Sequence, residues 1–248
     1  MSKSQGKITT GTKEWCDSNI NIFSGCSNNC VYCYAKKMAI RFGRKTNETW
    51  PEMELNYEKY IKNYGKRKGR IMFPSTHDIT KDTLACCIHV LRKIVMAGNE
   101  VLITTKPDPF CVKMICETLG SYRPQIQFRF TITSRNNKVL RKWEPGAPLF
   151  MDRFKALLHA CVNMWKTSIS IEPFLDLDPI PLIKTVASFV SESIWVGKLN
   201  YQKTDFNTLE NIQKVINNIK QLPCEIRAKI RFKDSIKNLC EKNNVGLI

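Results

Sequence analysis

The side chains most able to do chemistry are three cysteines in the stretch F-S-G-C-S-N-N-C-V-Y-C-Y-A-K-K-M-A, which begins at Phe23. Cys26, Cys30 and Cys33 are separated by three and then two residues on a loop that leaves an apolar run, so three thiolates can face one metal group. A structural zinc ion ordinarily takes four protein ligands, as two separated cysteine pairs or with histidine. No second pair follows here, and of the histidines His77, His89 and His159 two lie in apolar, helix-like contexts. A 4Fe–4S cluster held by four thiolates carries electrons. Three thiolates leave one iron open, and an open position is where a metal centre does chemistry. Electron transfer alone needs a fourth ligand, for which Cys16 stands nearest.

The chain has 11 cysteines. An odd number in a chain of this length, without an export signal, argues against a disulfide framework and for reduced thiols. Cys86, Cys87, Cys111, Cys116 and Cys161 lie in helix-like apolar contexts and read as small hydrophobes.

Further polar residues follow the apolar runs. His77 beside Asp78 pairs an imidazole with a carboxylate, able to relay a proton or hold an anion; the plainer reading is that Asp78, or Asp82, caps the helix near Thr83. Ser75 and Thr76 precede them. Lys106 is held in a turn by Pro107, and Arg135, after Ser134, offers a rigid donor fork for a carboxylate or phosphate. Glu172 ends the run S-I-S-I and, if buried, must be paired, with Lys198 or Arg135 as candidates. Asn200 is a further hydrogen-bonding candidate.

These residues fall where a repeating architecture would gather them. Short apolar runs at 20–24, 70–74, 100–104, 127–132, 168–171 and 193–196 read as six strands, and residues 83–97, 109–119, 150–164, 179–189 and 209–219 carry helical spacing. Parallel strands require such crossovers. A parallel sheet with helices outside follows, as an open (β/α)6 partial barrel or a doubly wound sheet, and ligands of such sheets bind beyond the carboxyl ends of the strands. Residues 46–69 read as a basic, aromatic flap inserted in one domain spanning 1–221, and residues 222–248 as a basic amphipathic extension.

With 39 Lys and Arg against 22 Asp and Glu, the formal charge is +17, which favours polyanionic partners. Lys36, Lys37, Arg41, Arg44, Lys45 and the lysines and arginines of 59–70 alternate with Trp50, Tyr57, Tyr60 and Tyr64, a mixture suited to gripping a phosphate backbone and stacking a base. The sequence shows no eighteen-residue apolar run, and its start, M-S-K-S-Q-G-K, lacks the apolar stretch of a leader; a soluble cytoplasmic protein is the expectation.

The three-then-two cysteine spacing after a first strand resembles the radical S-adenosylmethionine superfamily. The segment R-K-W-E-P-G-A-P from Arg141, Arg153, and T-S-I-S-I-E-P from Thr167 resemble the branch that contains spore photoproduct lyase and its small phage and archaeal relatives, over about residues 15–200. The resemblance implies a TIM-like partial barrel, a 4Fe–4S cluster on Cys26, Cys30 and Cys33, and S-adenosyl-L-methionine cleaved reductively to a 5′-deoxyadenosyl radical that abstracts hydrogen from substrate. It further implies that Tyr32 lies against adenine, that Ser75 and Thr76 meet the methionine amino group, and that Ser134 and Arg135 meet the ribose and carboxylate, with Lys106 a rival for the carboxylate. Glu172, Lys198 and Asn200 would complete the cofactor site. A flavodoxin- or ferredoxin-like donor would supply the electron.

Two departures matter. The loop after the second strand reads P-S-T-H-D-I-T from Pro74, without the G-G-E-like stretch of relatives and without the hydrogen-donating cysteine of the lyases, which argues against direct thymine-dimer repair. The competing reading is a non-catalytic protein whose iron–sulfur or zinc knuckle supports a basic, nucleic-acid-binding surface.

Overall fold

The computed structural model describes residues 11–200 and 204–247; the amino-terminal stretch read for a leader lies outside them. In chain order the strands are β1 (Ser18–Asn19), β2 (Phe23–Ser24), β3 (Glu54–Leu55), β4 (Arg70–Phe73), β5 (Glu100–Thr105), β6 (Ile126–Thr131), β7 (Lys166–Ile171), β8 (Ile194–Val196) and β9 (Ile230–Phe232). The helices are α1 (Tyr34–Arg41), α2 (Tyr57–Ile61), α3 (Leu84–Met96), α4 (Pro109–Thr118), α5 (Asn137–Trp143), α6 (Phe150–Val162), α7 (Ile180–Val186), α8 (Leu209–Lys220), α9 (Cys224–Arg227) and α10 (Asp234–Lys242).

Among the described residues seven strands form one parallel sheet in the order β1-β4-β5-β6-β7-β8-β9, and β2 pairs with β3 in a separate antiparallel ribbon. Period-two alternation decides the two faces. Ile71, Phe73, Val101, Ile103, Phe128, Phe130, Ile169, Ile171, Ile194 and Val196 share one buried core with residues of α3, α4, α6, α7, α8 and α10, so the helices cover that face. The alternate positions are largely polar: Thr104, Gln127, Arg129, Thr131, Ser168 and Ser170. The sheet curls around this second face until its two ends meet. Trp15, just before β1, packs edge-on against Trp195 of β8 at 5.8 Å, the Gly11 amide donates to Asp234 Oδ2 at 2.9 Å, and Lys233 donates to the Gly11 carbonyl at 2.8 Å. The result is a TIM-like partial barrel, a parallel sheet with helices outside.

The first strand is displaced from its expected range of 20–24. β1 ends at Asn19, and Asn21 turns away to accept hydrogen bonds from the Ser75 and Thr76 amides at 2.6 and 2.9 Å, after which Phe23 and Ser24 join the β2–β3 ribbon. A strand beyond the six expected, β9, pairs with β8 inside the segment read as an extension. Its sequence I-R-F is too short, and too surrounded by lysine and arginine, to announce itself. That basic character is largely spent within the fold: Lys229 caps the carbonyls of Ala187 and Val190, and Lys233 and Lys237 pair with Glu14.

The flap divides in the same way. Trp50 and Tyr64 are buried, so neither is free to stack a base, and Lys45 is buried in an ion pair with Glu54 at 2.6 Å. Tyr57 is exposed and Tyr60 packs beside His89 at 4.8 Å. No helix among the described residues is long and apolar enough to cross a membrane.

Candidate metal centre and cofactor cavity

The cysteine loop is clamped from both sides. Gly25 adopts φ +90°, and a Cβ there would sit 2.7 Å from the Trp50 carbonyl and closer still to that of Glu52, so only glycine fits. The Cys26 amide donates to the Trp50 carbonyl at 2.9 Å. On the other side the Val31 amide donates to Trp143 O at 2.9 Å and the Gly146 amide to Asn28 O at 3.1 Å. A Cβ on Gly146 would collide with Ser27 and Asn28. Cys33 ends the loop by capping α1, its sulfur accepting from the Lys36 amide at 3.4 Å. Burial pushes the Cys30 thiol up to about 12, opposed by Lys106. Burial, reinforced by Asp78 and Cys30, pushes Cys26 well above the usual thiol range.

All three thiols open onto one cavity of about 760 Å³ at the carboxyl ends of the strands. Every described cysteine is free of disulfides. Among the described residues no three His, Cys, Asp or Glu side chains are gathered tightly enough for a single metal ion. The ligands of a cluster bind separate irons and need not converge as those of one zinc ion must. Cys16 is no rival, because its thiol bonds to Thr12 O and Asn19 Oδ1 and packs with Trp15, Met72 and Leu102 before the first strand.

Tyr32, Ser75, Thr76, His77, Asp78, Lys106, Glu172, Lys198 and Asn200 line the same cavity. The structure does not bring Ser134 or Arg135 to it. The buried Ser134 hydroxyl donates to Asp176 at 2.8 Å and accepts from the Asn136 amide. Arg135 points to a shallower surface cleft with Asp178 and Lys184.

His77 and Asp78 are held for different tasks from the proton relay their adjacency suggests. His77 Nε2 accepts from the Ile22 amide at 3.2 Å, which leaves Nδ1 to donate to the Asp78 carbonyl at 3.1 Å; burial pushes the ring down to about 4, so it is neutral. Asp78 is no helix cap. Its carboxylate accepts from the amides of Ile79 (2.8 Å) and Lys106 (3.0 Å), from Asn28 Nδ2 (2.7 Å) and from Thr105, tying the cysteine loop to the ends of β4 and β5.

Sequence reasoning missed Glu144, although it stands in the segment R-K-W-E-P-G-A-P. Fully buried, it accepts from Tyr32 Oη, from Thr133 at 3.0 Å and from Arg153 at 2.5 Å, with Lys106 at 3.9 Å. Burial alone would raise its carboxyl, but Lys106 and Arg153 hold it below the usual range. Lys106 also lies 5.5 Å from the centre of the Tyr32 ring. Glu172 pairs with neither Lys198 nor Arg135 but faces Lys233 at 3.9 Å, and burial lifts its carboxyl to about 7.

Several solved structures share this parallel partial-barrel fold. A spore photoproduct lyase point mutant superposes with a TM-score of 0.56 at 17% identity, over 81% of this chain and 62% of that one. Spore photoproduct lyase complexed with dinucleoside spore photoproduct gives 0.51 at 17%, over 83% and 62%. Streptococcus suis SuiB bound to S-adenosylmethionine gives 0.52 at 11%, over 85% and 45%. At these identities the likeness is one of fold, and the chain spans about three-fifths of the lyase structures' length. No family model matches the chain, and no curated protein does.

Proposed function

We propose that the chain is a radical S-adenosylmethionine enzyme, with Cys26, Cys30 and Cys33 holding a 4Fe–4S cluster. One observation carries the reading: three free thiols on a doubly clamped loop share a cavity with Tyr32, Ser75, Thr76 and Lys106, while the nearest further cysteine, Cys16, is turned elsewhere. The cavity volume suits a cofactor-sized ligand. A cluster held by Cys26, Cys30 and Cys33 would supply the one-electron chemistry for reductive cleavage of S-adenosylmethionine and hydrogen abstraction from a substrate.

The chain's own residues bind, orient and shield. Trp50, packed against Cys26 and Ala39, keeps water from one side of the thiols. The Lys106 ammonium, fixed by Glu144 and its backbone bond to Asp78, offers positive charge for a carboxylate. Ser75 and Thr76 present hydroxyls from the loop that Asn21 pins. Tyr32 offers a ring face whose hydroxyl is fixed by Glu144. Glu172, Lys198 and Asn200 supply polar groups to the cofactor or substrate at the same rim. His77, with both nitrogens engaged, positions the loop beneath Asp78.

The electron would come from a flavodoxin- or ferredoxin-like partner. Nucleic acid is the favoured substrate class, supported by the +17 charge, by exposed Arg41, Arg44 and Tyr57, and by the likeness to a lyase structure that contains a dinucleoside. Such a base would have to be single-stranded or flipped out. The test is anaerobic reconstitution with iron and sulfide, dithionite reduction and quantification of 5′-deoxyadenosine, with Cys30→Ala as control. Production that depends on Cys30 supports the reading. Bound zinc with no nucleoside product supports the non-catalytic alternative.

A further inference from the structure

The polar inner face of the barrel holds a second set of groups that the cluster does not use. Thr104 of β5 and Arg129 of β6 are register partners, and Arg129 is followed across the sheet by Ser168. Arg129 is 2% exposed, and its Nε donates to Ser168 Oγ at 3.2 Å. Its guanidinium lies 4.4 Å from the Trp15 ring and 5.3 Å from that of Trp195, while Lys233 Nζ lies 4.3 Å from Trp15. Among the described residues no carboxylate comes within ion-pair distance of Arg129. Three buried atoms here have no hydrogen-bond partner among the described residues: Arg129 Nη1, Trp15 Nε1 and Thr104 Oγ1.

The chemistry of that set is one-sided. Guanidinium and indole nitrogens can only donate, and a hydroxyl can also donate, so the missing partner is an acceptor. Buried groups left unsatisfied carry a desolvation penalty that is larger for a charge. Native structures leave few such atoms without a bound water, ion or ligand to explain them. Burial, with the like charge of Arg70, pushes Arg129 down to about 9 against the weaker pull of Glu172 and Glu14. Neighbouring carboxylates are otherwise engaged: Glu14 with Lys233 and the Asp234 amide, Asp234 with the Gly11 and Ser235 amides. Glu172, 3.9 Å from Lys233, is lifted to about 7 by burial and so carries about half its charge near neutral pH. Trp15, Thr104 and Lys233 line the same cavity as the cysteines, and Arg129, the register partner of Thr104, lies just behind that lining.

We propose that this floor of the cavity is an anion subsite, in which Arg129 Nη1, Trp15 Nε1 and Thr104 Oγ1, with Lys233 alongside, receive a carboxylate or phosphate of a ligand bound in the cavity. A planar guanidinium matches either oxyanion. The subsite stands whether or not a cluster is bound, so its test is separable from that of the cluster.

Calorimetric titration of the full chain as isolated, with inorganic phosphate and with acetate at constant ionic strength, reads it directly. Saturable binding of either anion is expected, weakened at least about tenfold in Arg129→Met and several-fold in Trp15→Phe and Thr104→Val. The last two keep the charge and most of the volume, so they report even if the arginine variant fails to fold. Titration of the reconstituted chain with S-adenosylmethionine identifies the source: unchanged affinity in these variants assigns the anion to the substrate, and a parallel loss assigns it to the cofactor's carboxylate. No saturable binding of phosphate or acetate at tens of millimolar, or equal affinity in parent, Trp15→Phe and Thr104→Val, overturns the proposal.

Discussion

Replacing Glu144 by alanine tests how the cysteine loop is held. The carboxylate is the shared acceptor for Tyr32, Thr133 and Arg153 and is the charge nearest Lys106, with both Glu144 and Arg153 side chains completely buried. Removing it leaves two buried cations short of their counter-charge. Arg153 keeps bonds to Pro148 O at 2.7 Å and Thr131 O at 3.3 Å, so it is not stripped of partners. Breaking one side of a buried ion pair costs about 3–5 kcal/mol. For a chain of this size each kcal/mol moves the thermal midpoint by roughly 2–4 °C. The expected fall is therefore roughly 6–20 °C, read by circular dichroism. Glu144→Leu combined with Arg153→Met should recover at least about 1 kcal/mol relative to the sum of the single changes, because the stranded guanidinium is gone. A midpoint within about 3 °C of the parent for Glu144→Ala, well below the fall worked out above, or strict additivity in the double variant, would refute the argument.

Further outcomes follow from the same geometry. His77 sits near 4 in the fold against 6.5 for the free side chain, so the unfolded chain binds more protons between those values and stability is lost as pH falls from about 6.5 to about 4. His77→Gln should flatten that dependence in urea titrations, and an unchanged profile would show the ring to be solvated. Glu172 runs the other way. Its carboxyl at about 7, against 4.5, favours the protonated folded form, a contribution present below about 4.5 and lost as pH rises through about 7. Glu172→Gln should therefore gain on the parent at pH 8 relative to pH 4, and a constant difference across that range would contradict the assignment. Gly146→Ala should cost about 1–3 kcal/mol through its collision with Ser27 and Asn28 and lower iron retention after reconstitution, whereas Gly120→Ala, whose surroundings are open, should not.

What the sequence made legible was whatever depends on local order. Helices α3, α4, α6, α7 and α8 fall within a few residues of their expected ranges, because a one-sided apolar stripe at helical spacing is a local property. The cysteines and the polar residues after the second, third, fifth and sixth apolar runs do line one cavity, whereas Ser134 and Arg135 after the fourth do not. Asn21 defeated the reading of the first strand, since an apolar run says nothing about a side chain that leaves the sheet to hold another loop. Glu144 was hidden for a related reason. Its partners Tyr32, Lys106 and Arg153 are distant in sequence, and a buried acid and an exposed one look the same in a string of letters.

The inner face of the barrel is where sequence and structure differ most, and the difference has a physical cause. A strand of a parallel sheet covered by helices on both faces reads as a continuous apolar run. Here β6 reads I-Q-F-R-F-T and β7 reads K-T-S-I-S-I, so the polar half of each alternation mimics a solvent-facing surface. The curl of the sheet turns that surface inward, and Arg129, Gln127 and Ser168 become buried. Gln127 donates to Ser168 Oγ at 3.1 Å, Ser168 donates to the Phe128 carbonyl at 3.0 Å, and Arg70 donates to Gln127 Oε1 at 2.7 Å, which shows that this face can close its own network where that suffices. The network stops at Arg129, Trp15 and Thr104, beside the cavity. An apolar residue in place of Arg129 would avoid the cost of an unpaired buried cation. The guanidinium is nevertheless kept there, between two tryptophans and behind the cavity wall, and the anion subsite proposed above would account for it.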